Sequence, residues 1–256
     1  MKFTMWSVFH IFFIVSPFIF AGLMYFFSRK YSYEKNKKIG IILSIICVFI
    51  LLLRNLEIYF KVDTITPELI PFQICHFANF VLLYAFIKDN KAMFATAFCF
   101  NLPCAFLSIV FANSLENYAT ILSLRGIAYI FGHMLIVGIT IWAFLVGFMK
   151  FKKRDLAIGL IFILSLFVLS VPINNLFNDL MPGFTSNYFY SMKPEGGTPL
   201  VDMYKLGKVI TVIGMEVNLV YMFLLLIVGA VVYFSIYLLT NFLNKKIETK
   251  EEVLEN

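Results

Sequence analysis

Two side chains in this sequence have the types that nucleophilic catalysis needs, a thiol and an imidazole. Cys75 lies six residues into the third long apolar stretch and His133 about seven into the fifth. On ideal helices that puts them about 9 and 11 Å below the same end, so adjacent helices would bring them together. A thiol beside an imidazole becomes a thiolate nucleophile, with histidine acting first as base and then as acid. A lone intramembrane cysteine also serves as a small hydrophobe, and spacing alone leaves both readings open. Asn79 sits one turn below Cys75 on the same face, where it could orient a substrate or the imidazole. Gln73, Asn174 and Asn175 are candidate donors to a tetrahedral oxyanion. Arg54, Glu57 and Glu216 are candidate contacts to a polar ligand. His76 is turned about 100° from Cys75 and reads as a helix contact.

These residues share a layer. Counted along ideal helices, most of the charged and amide groups inside apolar stretches lie about 5 to 15 Å below one surface. Asn101, beside Pro103, is the deepest. The other halves of the segments, such as Val81–Phe86, Gly138–Phe148 and Leu219–Tyr233, are almost wholly apolar or aromatic. A polar pocket with an apolar packed floor explains that asymmetry, and so, less directly, do interhelical hydrogen bonds. Arg54 is expected to pair with Glu57, three residues on, or with Glu216.

The elements that must hold this layer are membrane helices. Hydrophobic residues make up 61% of the 256-residue chain and charged residues 14%, too few to cover a soluble surface. The apolar residues fall in runs of about twenty, a helical span's length, without the short alternating segments of a membrane barrel. The fold class is therefore all-α, a polytopic membrane helical bundle. Seven spans are read: Ser7–Phe27, Ile39–Phe60, Leu69–Ile87, Met93–Asn113, Gly126–Met149, Leu156–Phe177 and Lys208–Phe242. The last is too long for one perpendicular crossing, so part of it must tilt or project. Residues 1–244 read as one transmembrane domain and 245–256 as a short charged cytoplasmic tail.

Fourteen of the 21 Lys and Arg residues lie on one side of these spans and six on the other, with Arg54 inside span two. The positive-inside rule then places the N-terminus outside, the C-terminus in the cytoplasm and the polar layer toward the outside of a cell membrane. The net charge of +6 is explained by this loop bias, which excludes nucleic acid as the reason for it. Cys47, Cys75, Cys99 and Cys104 lack metal-ligand or CxxC spacing, so no metal site, disulfide framework or cofactor is expected. The first apolar run lacks a small-residue cleavage site, so no cleavable signal peptide is expected either. The longest loop, residues 178–207, carries Pro182-Gly183, Glu195-Gly196-Gly197-Thr198-Pro199 and the aromatics Phe184, Tyr188, Phe189 and Tyr190. A connection of that length without structure reads as a lid or as an ordinary external loop.

The segment Pro71-Phe72-Gln73-Ile74-Cys75 resembles the Pro-Leu-His-x-Cys motif of the YwaF-like family of seven-span membrane proteins. Gly132-His133 resembles that family's histidine, and Asn175, Asn187-Tyr188 and Lys193-Pro194 resemble its Asn…Asn-Tyr…Lys-Pro pattern. Vertebrate relatives are described as cysteine-dependent acyltransferases of ether phospholipids. The resemblance implies Cys75 as nucleophile, His133 as base and membrane lipids as partners. Gln73 stands where many relatives have histidine, and glutamine still donates and accepts hydrogen bonds. Three functions fit the residues: an acyltransferase or acyl hydrolase on phospholipid or lysophospholipid esters, a small-molecule or lipid binding or transport protein using the same pocket, and an assembly factor.

Overall fold

Hydrocarbon offers backbone N–H and C=O groups no water, so long apolar runs satisfy them internally as helices. The computed structural model describes residues 1–255, with side chains described through Phe242. Its spans are α1 (Val8–Ser28), α2 (Tyr33–Val62), α3 (Ile74–Lys88), a broken helix α4–α5, α6 (Leu124–Leu145), α7 (Lys153–Leu180) and a last helix, α9. The broken helix consists of α4 (Lys91–Thr96), a π turn over Ala97–Asn101 and α5 (Leu102–Val110). A short helix α8 (Leu200–Lys205) lies in the long loop, and α9 runs over Leu219–Glu255. Ser7, Ser32 and Ser123 cap α1, α2 and α6 by accepting a first-turn backbone N–H. The π turn precedes Pro103, whose ring lacks an N–H and crowds the carbonyl four residues back, so the helix widens there.

Lipid tails are as apolar as leucine, so burial alone does not drive helices together in a membrane; close packing and hydrogen bonds do. α6 is the hub, against α1, α2 and α5. Gly138 lets α1 approach closely: a Cβ there would stand 2.6 Å from the Phe20 ring and 3.1 Å from the Pro17 carbonyl. α1 is clamped at both ends. His10 Nε2 lies 2.9 Å from the Ile109 carbonyl of α5, and Trp142 of α6 donates to Ser28 Oγ over 2.8 Å. Phe86, Phe94, Trp142 and Phe148 form an aromatic core at the opposite end from the long loop.

Two expectations need correction. Residues 208–242 are not one span. Ile210–Val212 (β1) and Met215–Val217 (β2) pair as an antiparallel hairpin before α9 starts at Leu219. Ile213 (φ 50°) and Gly214 (φ 78°) form its two-residue turn, the left-handed pair that a tight hairpin requires. β-Branched Ile210, Thr211 and Val212 suit a strand, and the hairpin is the part of that stretch that projects from the bundle. The long loop is also not structureless. The Asn174 amide is bonded within it like a strand partner: Oδ1 accepts from Tyr188 N at 2.7 Å and Ser186 Oγ at 2.8 Å, and Nδ2 donates to Tyr188 O at 3.0 Å and Ser191 Oγ at 2.9 Å. Tyr188, fully buried, donates its hydroxyl to the Pro67 carbonyl at 2.6 Å.

Candidate functional site

Cys75 is the second residue of α3, whose N-cap is Gln73. The first intrahelical bond runs from Phe77 N to Gln73 O, so the N–H groups of Ile74, Cys75 and His76 have no acceptor within the helix. They form the positive end of the α3 dipole, and Cys75 stands on it. His133 of α6 is an electrostatic neighbour of Cys75 and lines the same cavity. α5 joins them: Ser108 Oγ is 3.8 Å from Cys75 Sγ and donates to Cys104 O at 3.0 Å.

The histidine is held on one side. His133 Nδ1 lies 2.6 Å from the Tyr129 carbonyl one turn earlier, and its ring lies 4.3 Å from the Tyr129 ring. A carbonyl only accepts, so the proton belongs on Nδ1 and Nε2 carries a lone pair. Tyr129 is fixed in turn, donating its hydroxyl to Ser108 O at 2.8 Å. Cys75, Ser108, Tyr129 and His133 are thus linked in that order across three helices.

The long loop also reaches this place. Phe189 (φ 57°) and Tyr190 (φ 53°) are consecutive left-handed residues without being glycine, a conformation the Asn174 and Tyr188 bonds hold in place. Tyr190 bonds the Glu195 side chain, and both face the cavity that contains Cys75. Burial first, and the Glu195 carboxylate next, hold the Tyr190 phenol well above the usual tyrosine range, so it stays a protonated donor.

Cys75, Ser108, Tyr129, His133, Tyr190 and Glu195 line one cavity of about 890 Å³, within the range of small-ligand sites. The sequence matches the family model of the TMEM164 family over residues 3–228. The chain belongs to the TMEM164 family. No curated protein and no solved structure matches it. The short motifs suggested a seven-span membrane family, and TMEM164 is the family shown.

In this TMEM164-family chain two arginines and a glutamate form the loop-end rim of the cavity. Arg54 donates from Nη2 to Glu68 Oε1 at 3.0 Å and from Nη1 to Glu68 O at 3.0 Å, and Arg125 Nη2 reaches the same Oε1 at 2.5 Å. Two guanidiniums share one carboxylate, and all three residues line the cavity. The Arg125 cation lies 4.8 Å over the Tyr118 ring, and its buried Nε has no hydrogen-bond partner among the described residues. The expected pairing of Arg54 with Glu57 or Glu216 is therefore corrected. The Arg54 side chain is buried toward the turn Pro67–Leu69, whereas Glu57 takes the Arg125 backbone N–H at 2.7 Å and the Lys61 ammonium. Glu216 is exposed on β2.

The remaining sequence candidates divide. Gln73 and Asn79 line the cavity, and so does His76, which had read as a helix contact. Asn79 Nδ2 reaches back to Cys75 O at 3.4 Å. Asn174 is bonded within the loop, and Asn175 pairs with the Glu216 backbone, donating at 3.3 Å and accepting at 2.8 Å. Neither asparagine is brought to the cavity. Sequence reasoning passed over Ser108, Tyr129, Glu68, Arg125, Tyr190 and Glu195. Arg125 had counted only as a loop charge and Glu195 as turn punctuation. The Lys193-Pro194 motif two residues before the glutamate was the available signal.

Proposed function

We propose that this protein cleaves and transfers acyl groups between membrane phospholipids and lysophospholipids, using Cys75 as nucleophile and His133 as general base. The observation that carries this reading is the fixed tautomer: with Nδ1 committed to the Tyr129 carbonyl, Nε2 is the nitrogen left to take the thiol proton. The thiolate attacks the ester carbonyl, and the oxyanion forms beside the α3 N–H groups and Gln73. The tetrahedral adduct collapses to a thioester on Cys75 as His133 returns the proton to the departing lysophospholipid hydroxyl. A second lysophospholipid, or water, gives its proton to His133 and attacks the thioester. The acyl group leaves on the new oxygen and the thiol is restored. Arg54 and Arg125, carrying more positive charge than Glu68 neutralises, suit the lipid phosphate at the rim. Loop charges favour a multi-pass protein of the cell membrane with this rim on the outer side and residues 178–207 as the covering lid.

The test is acyl exchange between phospholipid and lysophospholipid in reconstituted vesicles. Wild type should exchange, while Cys75→Ala, His133→Ala and the double variant should lose activity to a similar extent, because residues acting as one unit are not additive. Equal exchange by wild type and Cys75→Ala overturns the reading. Saturable lipid binding without exchange by wild type would favour a carrier.

A further inference from the structure

The apolar floor expected beneath the polar layer is packed only on one side. On the other, the cavity continues away from Cys75 between α7 and α9, past Ile163 and Leu164 on one wall and Val228, Gly229 and Val232 on the other. α7 is tied at both ends of this stretch, to the hairpin that leads into α9 and to α9 itself. Asn175 holds the Glu216 backbone at the loop end, and Tyr233 donates its hydroxyl to Leu156 O at 3.0 Å at the other. Between the ties lie about 28 Å of α7. Leu164 and Val228 line the cavity while remaining 37% and 41% exposed on the flank of the bundle. A residue that faces both the interior and the exterior marks a side opening. Gly229 stands at that level with nothing within 4 Å of where a Cβ would be. Membrane-helix glycines commonly serve close packing, and this one has open space on its Cβ side among the described residues. Tyr233, fully buried against Leu156 and Cys99, forms the end wall, about 12 Å along α9 from Leu225.

The medium outside this opening decides its occupant. α9 is a membrane span with only 11% of its apolar window buried, so the opening faces lipid tails. We infer that a hydrocarbon chain of a membrane lipid enters sideways between α7 and α9 and lies along Gly229 toward Tyr233. Resting on the proposed acyl chemistry, this makes the channel the seat of the chain attached to the ester at Cys75. Position 229 then gauges how much chain can be seated.

The experiment uses the full chain in phosphatidylcholine vesicles doped with a phospholipid bearing a photoactivatable diazirine near one chain end. Labelled peptides are mapped by mass spectrometry. Wild type should be labelled on the channel wall around Leu164 and Val232, and Gly229→Phe should lose that labelling about tenfold, the scale on which an apolar pocket responds to a filled site. Labelling of the lipid-facing flank at Ile19 should be unchanged. Gly22→Phe, at an equally open glycine that does not line the cavity, controls for added bulk, and Leu164→Trp replaces Gly229→Phe if that variant fails to fold. Channel labelling that is absent in wild type, or equal in wild type and Gly229→Phe, overturns the inference. Cys75→Ala should label like wild type. Channel labelling without any acyl exchange would therefore remove the chemistry and leave the channel standing, whereas exchange with unaltered Gly229→Phe labelling would do the reverse.

Discussion

The half of the bundle built from α1, α2, α3 and α6 and the half built from α7 and α9 are both made of apolar spans and are held together differently. In the first, side chains interdigitate: half of the α6 window is buried, Trp142 is fully enclosed, and a glycine brings α1 against α6. In the second, α7 is held by polar ties to the hairpin that leads into α9 and to α9 itself, with a channel between the two helices. Because burial contributes little between helices in lipid, only shape and hydrogen bonds distinguish the two halves. The packed half fixes α3, α5 and α6, which carry Cys75, Ser108 and His133. The open half provides the space beside them.

The sharpest way to break this comparison is to truncate one apolar residue on each side. Trp142→Ala should cost about 3–5 kcal/mol by detergent unfolding, combining a large cavity with loss of the indole bond to Ser28 Oγ, which keeps its own bond to Met24 O. Leu164→Ala should change stability by about 0.5 kcal/mol or less, since space is already there. Similar losses for both would erase the distinction. An intermediate effect is expected at the polar ties. Asn174→Ala leaves the Tyr188 N–H and the Ser186 hydroxyl without their acceptor and takes one donor from Ser191, and should destabilise by about 1–3 kcal/mol. Limited proteolysis should then cut within residues 178–207 faster than in wild type, and an unchanged rate would mean that packing alone holds the loop. The smallest effect tests the rim. In double-mutant cycles of unfolding, Arg54→Met with Glu68→Gln should be non-additive by about 0.5 kcal/mol or more, and Arg54→Met with Glu216→Gln additive. Coupling to Glu216 instead of Glu68 would contradict the observed pairing.

Much of the fold was legible in the sequence because a membrane imposes one strong rule. Runs of about twenty apolar residues had to be helices, and seven spans were found among the described residues, the last starting at Leu219 rather than Lys208. Where the rule ran out, the reading did too. Ile210–Val217 is as hydrophobic as the helix it precedes, and its turn, Ile213-Gly214, lacks the Asn-Gly or Asp-Gly signature that would have separated hairpin from span. Depth counting put Cys75 and His133 at one level, and they line one cavity. It could not show Tyr190 and Glu195 arriving there, since their place depends on how Asn174 and Tyr188 fold the loop back. Arg54 finds Glu68 only because the chain turns at Pro67–Leu69, a tertiary fact that the i, i+3 rule does not contain. The side opening was invisible for a simpler reason: hydropathy is the same for a helix that packs against its neighbour and one that stands away from it.

The π turn at Ala97–Asn101 acts as a phase shift in a screw. One surplus residue in an otherwise continuous helix rotates everything after it by about 100° relative to everything before. Here it lets one span serve two partners, α4 lying against α7 and α5 against α6. Removing a single residue from the turn would take out that rotation and turn Ser108 and Cys104 out of the cavity, with every other side chain in the protein unchanged in identity. The register of this one helix is therefore as much a part of the site as any of the groups that line it.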